Sequence, residues 1–247
     1  MTASEAERSA QRAEGERSRD GGIHGTAVGL FGGTFNPIHV GHLRAAEEVR
    51  EALGLERVVF VPSAYPPLKR GGPDVLAPAK ERLAWVELAI QGNPAFAVDP
   101  LELERAGPSY TVDTLRVFAQ RLAPARPIFI VGCDVFEELP AWREPKALLE
   151  LAHFAVVTRP PAGGGSLADW LPAELAADFV LATDRQEARH RSAGTWLRHV
   201  PIAALEVSST AVRRRLSEGR SVRYLLPDPV LAAVVQSGAY TRRGRQR

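Results

Sequence analysis

Cysteine is almost missing from this 247-residue sequence, where Cys133 stands alone. A single thiol excludes a disulfide framework and fits a chain that works in a reducing cytoplasm. Long apolar runs are missing as well. Hydrophobic residues make up 45% of the chain, enough for a substantial core, but no stretch approaches the roughly 20 residues that cross a bilayer. Residues 1–22 contain no aliphatic side chain larger than alanine after Met1, so they lack the apolar segment of a secretory signal. A mitochondrial presequence avoids acids, and Glu5, Glu7, Glu14, Glu16 and Asp20 argue against one. Residues 1–23 therefore read as a disordered N-terminal extension.

An excess of positive charge is also missing once the end of the chain is set aside. The 31 Lys and Arg against 29 Asp and Glu give +2, but four arginines lie in residues 241–247. Without them 27 basic face 29 acidic side chains, and the body is about −2. The excess belongs to a basic C-terminal tail, so neither nucleic acid nor a membrane surface is an expected partner. No internal repeat is visible.

Between the tails, short apolar runs alternate with amphipathic helical patterns. Strands are expected at 27–31, 57–62, 96–98, 128–132, 154–158 and 202–207, and helices at 41–53, 79–91, 111–122, 145–151, 209–218 and 227–236. This rhythm predicts an α/β architecture: a Rossmann-like, doubly wound, mainly parallel sheet with helices on both faces, in one domain over 24–240. Ligands of such sheets lie beyond the carboxyl ends of the strands, where Gly32, Gly132 and Ser208 fall. Residues 160–166 are rich in Pro and Gly and read as a mobile loop.

Directly after the first strand comes Gly32-Gly33-Thr34-Phe35-Asn36-Pro37-Ile38-His39-Val40-Gly41-His42. Two glycines let a phosphate chain approach the backbone closely. Two histidines three apart at the start of a helix stand where free N–H groups and the helix dipole favour anions. Imidazoles there can donate to phosphate oxygens as charge builds on them. No Gly-Lys-Ser/Thr follows, so this is not a Walker loop, and the spacing is not that of a dinucleotide GxGxxG. The pattern points to nucleotidyl transfer. A metal pair is the other use of two such histidines, but His24, His153, His190 and His199 are scattered and supply no third ligand cluster; no protein metal site is expected.

Near the C-terminus, Val207-Ser208-Ser209-Thr210-Ala211-Val212-Arg213 offers helix-capping hydroxyls followed, one turn on, by a guanidinium able to clamp a phosphate. Alone, Ser-Ser-Thr before a helix reads as a cap. Beside the first motif it reads as a second anion cradle.

These two motifs together resemble the HxGH nucleotidylyltransferase superfamily. Pro66-Pro67-Leu68-Lys69, Gly107-Pro108-Ser109-Tyr110-Thr111-Val112-Asp113-Thr114-Leu115, Ile130-Val131-Gly132-Cys133-Asp134 and Leu139-Pro140-Ala141-Trp142 narrow the resemblance to bacterial nicotinate-nucleotide adenylyltransferases, over about residues 28–240. The resemblance implies condensation of nicotinate mononucleotide with ATP to give deamido-NAD and pyrophosphate, with Mg²⁺ delivered by ATP. It implies catalytic roles for His39, His42 and Arg213, and ATP contacts from Gly32, Gly33, Thr34, Phe35, Ser208, Ser209 and Thr210. Nicotinate-nucleotide contacts fall to Lys69, Thr111, Asp134 and Trp142. Read from the residues alone, Asp134 either receives ribose hydroxyls or caps a helix, Trp142 either stacks on a pyridine ring or packs in the core, and Thr111 either donates to a carboxylate or caps a helix. The chain departs from the family pattern at Leu68, where histidine is usual, and at Arg143, where an aromatic is usual. A nicotinamide or phosphopantetheine adenylyltransferase is the nearest alternative, and a nucleotide-binding module without catalysis the more distant one.

Overall fold

A computed structural model of the chain describes residues 27–65, 76–158, 165–203 and 205–241. The expectations for the N-terminal extension, His24, the 66–70 loop with Lys69, residues 160–164 and the arginines of the tail lie outside the described residues.

β1 (Val28–Gly33), α1 (Val40–Leu53), β2 (Arg57–Pro62), α2 (Ala79–Ile90) and β3 (Phe96–Val98) form the first half. A short α3 (Leu101–Glu104) and α4 (Thr111–Arg121) lead to β4 (Ile128–Gly132), α5 (Cys133–Glu137), a 3₁₀ turn (Leu139–Ala141), α6 (Pro145–Leu151) and β5 (His153–Thr158). Then come α7 (Leu167–Trp170), α8 (Ala173–Ala176), the strands β6 (Phe179–Leu181), β7 (Glu187–His190) and β8 (Trp196–Pro201), and finally α9 (Ser209–Ser217) and α10 (Asp228–Ser237).

The eight strands order as β3-β2-β1-β4-β5-β8-β7-β6. All pairs from β3 to β8 are parallel, and β7 and β6 add antiparallel at one edge. Period-2 alternation divides the core between the two faces. Ile128 and Ile130 of β4 point into a cluster with Ala46 and Val49 of α1, Trp85 and Val86 of α2, Val212 of α9 and Val230 of α10. Phe129 and Val131 of the same strand join Leu115 of α4, Phe136 of α5, Leu148 of α6 and Leu167 of α7 on the opposite face. The sheet is thus doubly wound, as expected.

One strand differs from expectation. Of the expected strand 202–207, residues 202, 203 and 205–207 pair with nothing in the sheet; the strand that leads to Ser208 is β8, which pairs parallel with β5. Arg198 and His199 interrupt the apolar run of β8, so the eye moves to the next apolar segment. Ile202 is buried and Val207 packs against the core although neither is in a strand.

The chain crosses from β1 through β2 to β3 on one side, then returns to place β4 on the other side of β1. The crevice at the carboxyl ends of β1 and β4 is therefore the topological switch point, where open α/β sheets hold ligands. Among the described residues, no helix is long and apolar enough to cross a membrane.

Candidate active site

β1 delivers Gly33 to this crevice, and the chain then turns sharply. Phe35 adopts a left-handed φ of +47°, an uncommon conformation for a residue with a side chain. Its ring folds back over Gly33, where a Cβ would stand 2.9 Å from the ring. The second glycine of the pair is thus required by contact with Phe35. The Phe35 ring also meets His42 edge-on, with centroids 5.2 Å apart.

His39 is the N-cap residue of α1 and is buried, and His42 follows at the third helical position. Their rings stack with centroids 3.7 Å apart and 26° between planes. The main-chain N–H of His39 donates to Nδ1 of His42 at 3.2 Å. A nitrogen that accepts carries no proton, so the proton of neutral His42 sits on Nε2, ready to donate to an anion. Gly41 is dictated by the same stack: a Cβ there would lie 3.1 Å from Nδ1 and 3.2 Å from Cε1 of His39. The glycine of the HxGH spacing thus leaves room for two stacked imidazoles at a helix start.

The second motif closes on the first. Ser208 caps α9, its Oγ accepting the N–H of Ala211 at 3.1 Å. Ser209 Oγ donates to the Pro37 carbonyl at 2.9 Å, Arg213 Nη1 donates to the Asn36 carbonyl at 2.8 Å, and Arg213 Nη2 donates to Thr210 Oγ at 3.0 Å. Neither α1 nor α9 carries an acidic residue in its first turn, so neither helix start is neutralised by its own side chains. Two positive helix ends, a histidine pair and an arginine converge on Asn36-Pro37.

Gly32, Gly33 and Thr34 also line a cavity of about 440 Å³, together with Ser63, Glu102, Ser109, Thr111 and Trp142. Tyr110 occupies the N-cap position of α4 and Thr111 the first helical position, so Thr111 is not the cap. Trp142 packs edge-on against Phe129 with centroids 6.3 Å apart. Its main-chain N–H is already donated to the Leu139 carbonyl at 3.0 Å. Its indole Nε1 and the Oγ of Ser63 are buried with no hydrogen-bond partner among the described residues. Buried polar atoms without partners are costly, and two in one cavity wall point to a ligand that completes them. Arg143 lies with its guanidinium 4.7 Å over the Tyr110 ring at the cavity's rim, half exposed. Glu102 is buried and accepts from Thr114 Oγ at 2.7 Å; burial raises its pKa, against the opposing pull of its Thr114 and Ser109 hydrogen bonds and of Arg105.

Asp134 follows β4 in the first turn of α5, where Gly132 is the N-cap, and is exposed outside the cavity lining. Lys69 is outside the described residues. Among the described residues no group of three or more His, Cys, Asp or Glu side chains is placed to hold a metal ion.

Three residues that shape the site escape a reading of motifs alone. Asn36 is buried; its Oδ1 accepts the N–H of Ala77 at 3.1 Å and the phenol of Tyr240. Tyr240 itself is buried, which pushes its pKa up. Arg82 is wholly buried beneath Thr34. Only Arg82 leaves a signal in the sequence: with Trp85 and Val86 it completes an i, i+3, i+4 stripe, and a guanidinium in an apolar stripe is out of place.

The glycine-rich turn, the stacked histidines at one helix start and the arginine at another define a nucleotidylyltransferase. A family model described as Cytidylyltransferase-like matches residues 30–215. The "Probable nicotinate-nucleotide adenylyltransferase" of Halorhodospira halophila is 44% identical over 218 residues, covering 86% of this chain and 94% of that one. The protein of the same name from Geobacter metallireducens is 40% identical over 214 residues, covering 87% and 98%. The chain belongs to the nicotinate-nucleotide adenylyltransferase family, adenylyltransferases of NAD biosynthesis. Among solved structures, the Plasmodium falciparum nicotinic acid mononucleotide adenylyltransferase complexed with NaAD shares the fold at a TM-score of 0.66 and 14% identity, covering 87% of this chain and 97% of that one.

Proposed function

We propose that this adenylyltransferase joins nicotinate mononucleotide to ATP by direct in-line attack, with no covalent enzyme intermediate. One observation carries the reading: Gly32, Gly33 and Thr34 line a cavity sized for a mononucleotide, and the chain runs from them directly into the turn that ends in the histidine pair. An oxygen of the mononucleotide's 5′-phosphate bonds to the α-phosphorus of ATP as the bond to the β-phosphate bridging oxygen breaks, and pyrophosphate leaves. The attacking phosphate is already ionised near neutral pH, so the chemistry asks for positioning and charge stabilisation.

In this reading His42 Nε2–H donates to the α-phosphate, with His39 beside it, and the main chain of Gly32, Gly33, Thr34 and Phe35 borders both reacting phosphates. Ser208, Ser209, Thr210 and Arg213 attend the β- and γ-phosphates. Thr111 and Trp142 hold the nicotinate ring, Asp134 takes ribose hydroxyls at the end of β4, and Lys69 contacts phosphate. The names of the relatives support the substrate. The imidazole, guanidinium, hydroxyl and N–H donors around Asn36-Pro37 suit phosphate oxygens and form no carboxylate cage. Mg²⁺, if delivered with ATP, would be held chiefly by the triphosphate and water and would supply charge neutralisation there.

Pyrophosphate release from Mg·ATP, measured with nicotinate and nicotinamide mononucleotides side by side, tests the assignment. Preference for the acid is expected. Comparable or reversed preference would overturn the substrate while leaving adenylyl transfer in place.

A further inference from the structure

The side chain of Arg82 is wholly buried in α2, and among the described residues no carboxylate pairs with it. Burial lowers its pKa. A guanidinium in an apolar stripe beside Trp85 and Val86 is a costly choice where a leucine would pack. Each of its three nitrogens nonetheless donates to a main-chain carbonyl. Nη1 reaches Thr34 at 2.6 Å, Nη2 reaches Ala64 at 3.1 Å and Nε reaches Ala77 at 3.0 Å.

Those carbonyls belong to three segments with different tasks. Thr34 lies in the turn between β1 and the histidine pair. Ala64 follows β2, and its N–H donates to Ser109 Oγ at 3.1 Å; Ser109 lines the cavity two residues before Thr111. Ala77 donates its own N–H to Asn36 Oδ1, the atom that also takes the Tyr240 phenol. One rigid fork thus sets the distance between the phosphate turn and the cavity wall, the two surfaces between which the reacting phosphates must meet.

We propose that Arg82 is a positioning residue for adenylyl transfer: its fork holds Thr34 in register with Ala64 and Ser109, so that the attacking phosphate and the α-phosphate stand in line. This rests on the in-line reading given above. The geometry of the fork carries the role, since a lysine would retain the charge but present a single nitrogen to three divergent carbonyls. A displacement near 1 Å between reacting groups costs on the order of 10²-fold in rate while leaving most substrate contacts intact.

Arg82→Lys and Arg82→Gln should therefore each lower kcat by about 10–100-fold, with both KM values within about threefold of wild type. Rates are normalised to folded protein by circular dichroism and thermal melting. Three results would overturn the proposal: near-normal kcat per folded molecule in both variants, a purely structural role; normal kcat in Arg82→Lys alone, a role for charge only; or raised KM at unchanged kcat, a role in binding. Should neither variant fold, Ser109→Ala decides. It removes the acceptor of the Ala64 and Tyr65 N–H groups and the partner of Glu102, and leaves Arg82 in place; a kcat lowered by about threefold or more at unchanged KM is expected, and an unchanged kcat overturns the proposal. The assay begins with wild type on nicotinate and nicotinamide mononucleotides. Activity on the amide alone would overturn the substrate assignment while the Arg82 comparison proceeds on the amide, and absence of pyrophosphate release with either would overturn both.

Discussion

Nδ1 of His42 accepts the main-chain N–H of His39 at 3.2 Å, so one ring closes the helix start with one nitrogen and offers a proton with the other. The two tasks can be separated. Asparagine at position 42 retains an acceptor near Nδ1 and loses the Nε2 donor. His42→Asn should hold its melting temperature close to wild type while kcat falls roughly 10²–10³-fold, the usual cost of one preorganised donor. His42→Ala loses both functions, and should show the same fall in kcat with a lower melting temperature. Near-normal turnover in either variant would remove His42 from the chemistry.

Gly41 tests the stacked pair from another side. Alanine improves helix propensity by about 1 kcal/mol over glycine, so Gly41→Ala should not melt much earlier than wild type. Its Cβ would meet the His39 ring at 3.1 Å and must displace it. The expected result is a stable, correctly folded protein with kcat lowered about tenfold or more, checked by pairing thermal melts with pyrophosphate release.

Arg213 joins α9 to the Asn36 carbonyl, and in the proposed reading it also attends the triphosphate. Arg213→Ala should raise KM for ATP by about tenfold or more, the scale of one charge-assisted contact, and change KM for the mononucleotide much less. Equal effects on both substrates would mean that Arg213 serves only to brace the loop.

His153 predicts a pH dependence remote from the site. Burial, then the charges of Arg126, Arg189 and Arg198, push its pKa down to about 4. Its Nδ1 accepts the Trp196 N–H at 3.1 Å, and its ring stacks on the Trp196 ring at 4.6 Å. The unfolded state binds this proton near pH 6.5 and the folded state only near 4. The stability contributed by neutral His153 is present above pH 6.5 and is lost as pH falls through 4. The full linkage is at most about 3.4 kcal/mol, and less for a ring not wholly buried. Asparagine keeps the acceptor without the titration, so the difference in melting temperature between wild type and His153→Asn should narrow or reverse as pH falls from 7 to 4. A constant difference would refute this assignment.

Local chemistry made the first half of the site legible. Glycines, a strand end and two histidines are adjacent in the sequence, and their spacing alone leads to the stacked pair. The doubly wound sheet followed from alternation in β1, β2, β4 and β5, whose runs are nearly unbroken because both faces are covered. The edge strands β6 and β7 were not legible. They hold three and four residues, Val180 and Leu181 are exposed, and Glu187 and Arg189 break any apolar pattern. The edge strand itself, β6, is only three residues long, and a short strand is one way a sheet edge avoids pairing with other chains. Asn36 and Tyr240 were illegible for another reason: their contact spans 204 positions, and no pattern within a window connects them.

That span has a consequence for synthesis. His39 and His42 leave the ribosome early, but Arg213 and Tyr240, which hold the turn before them, emerge some 170 to 200 residues later. At about 5–20 residues per second the nascent chain carries its histidine pair for roughly ten seconds or more before the brace exists. Chains interrupted before residue 208 would present both imidazoles on an unlocked turn. The turn that carries the histidine pair is therefore braced only near the end of translation.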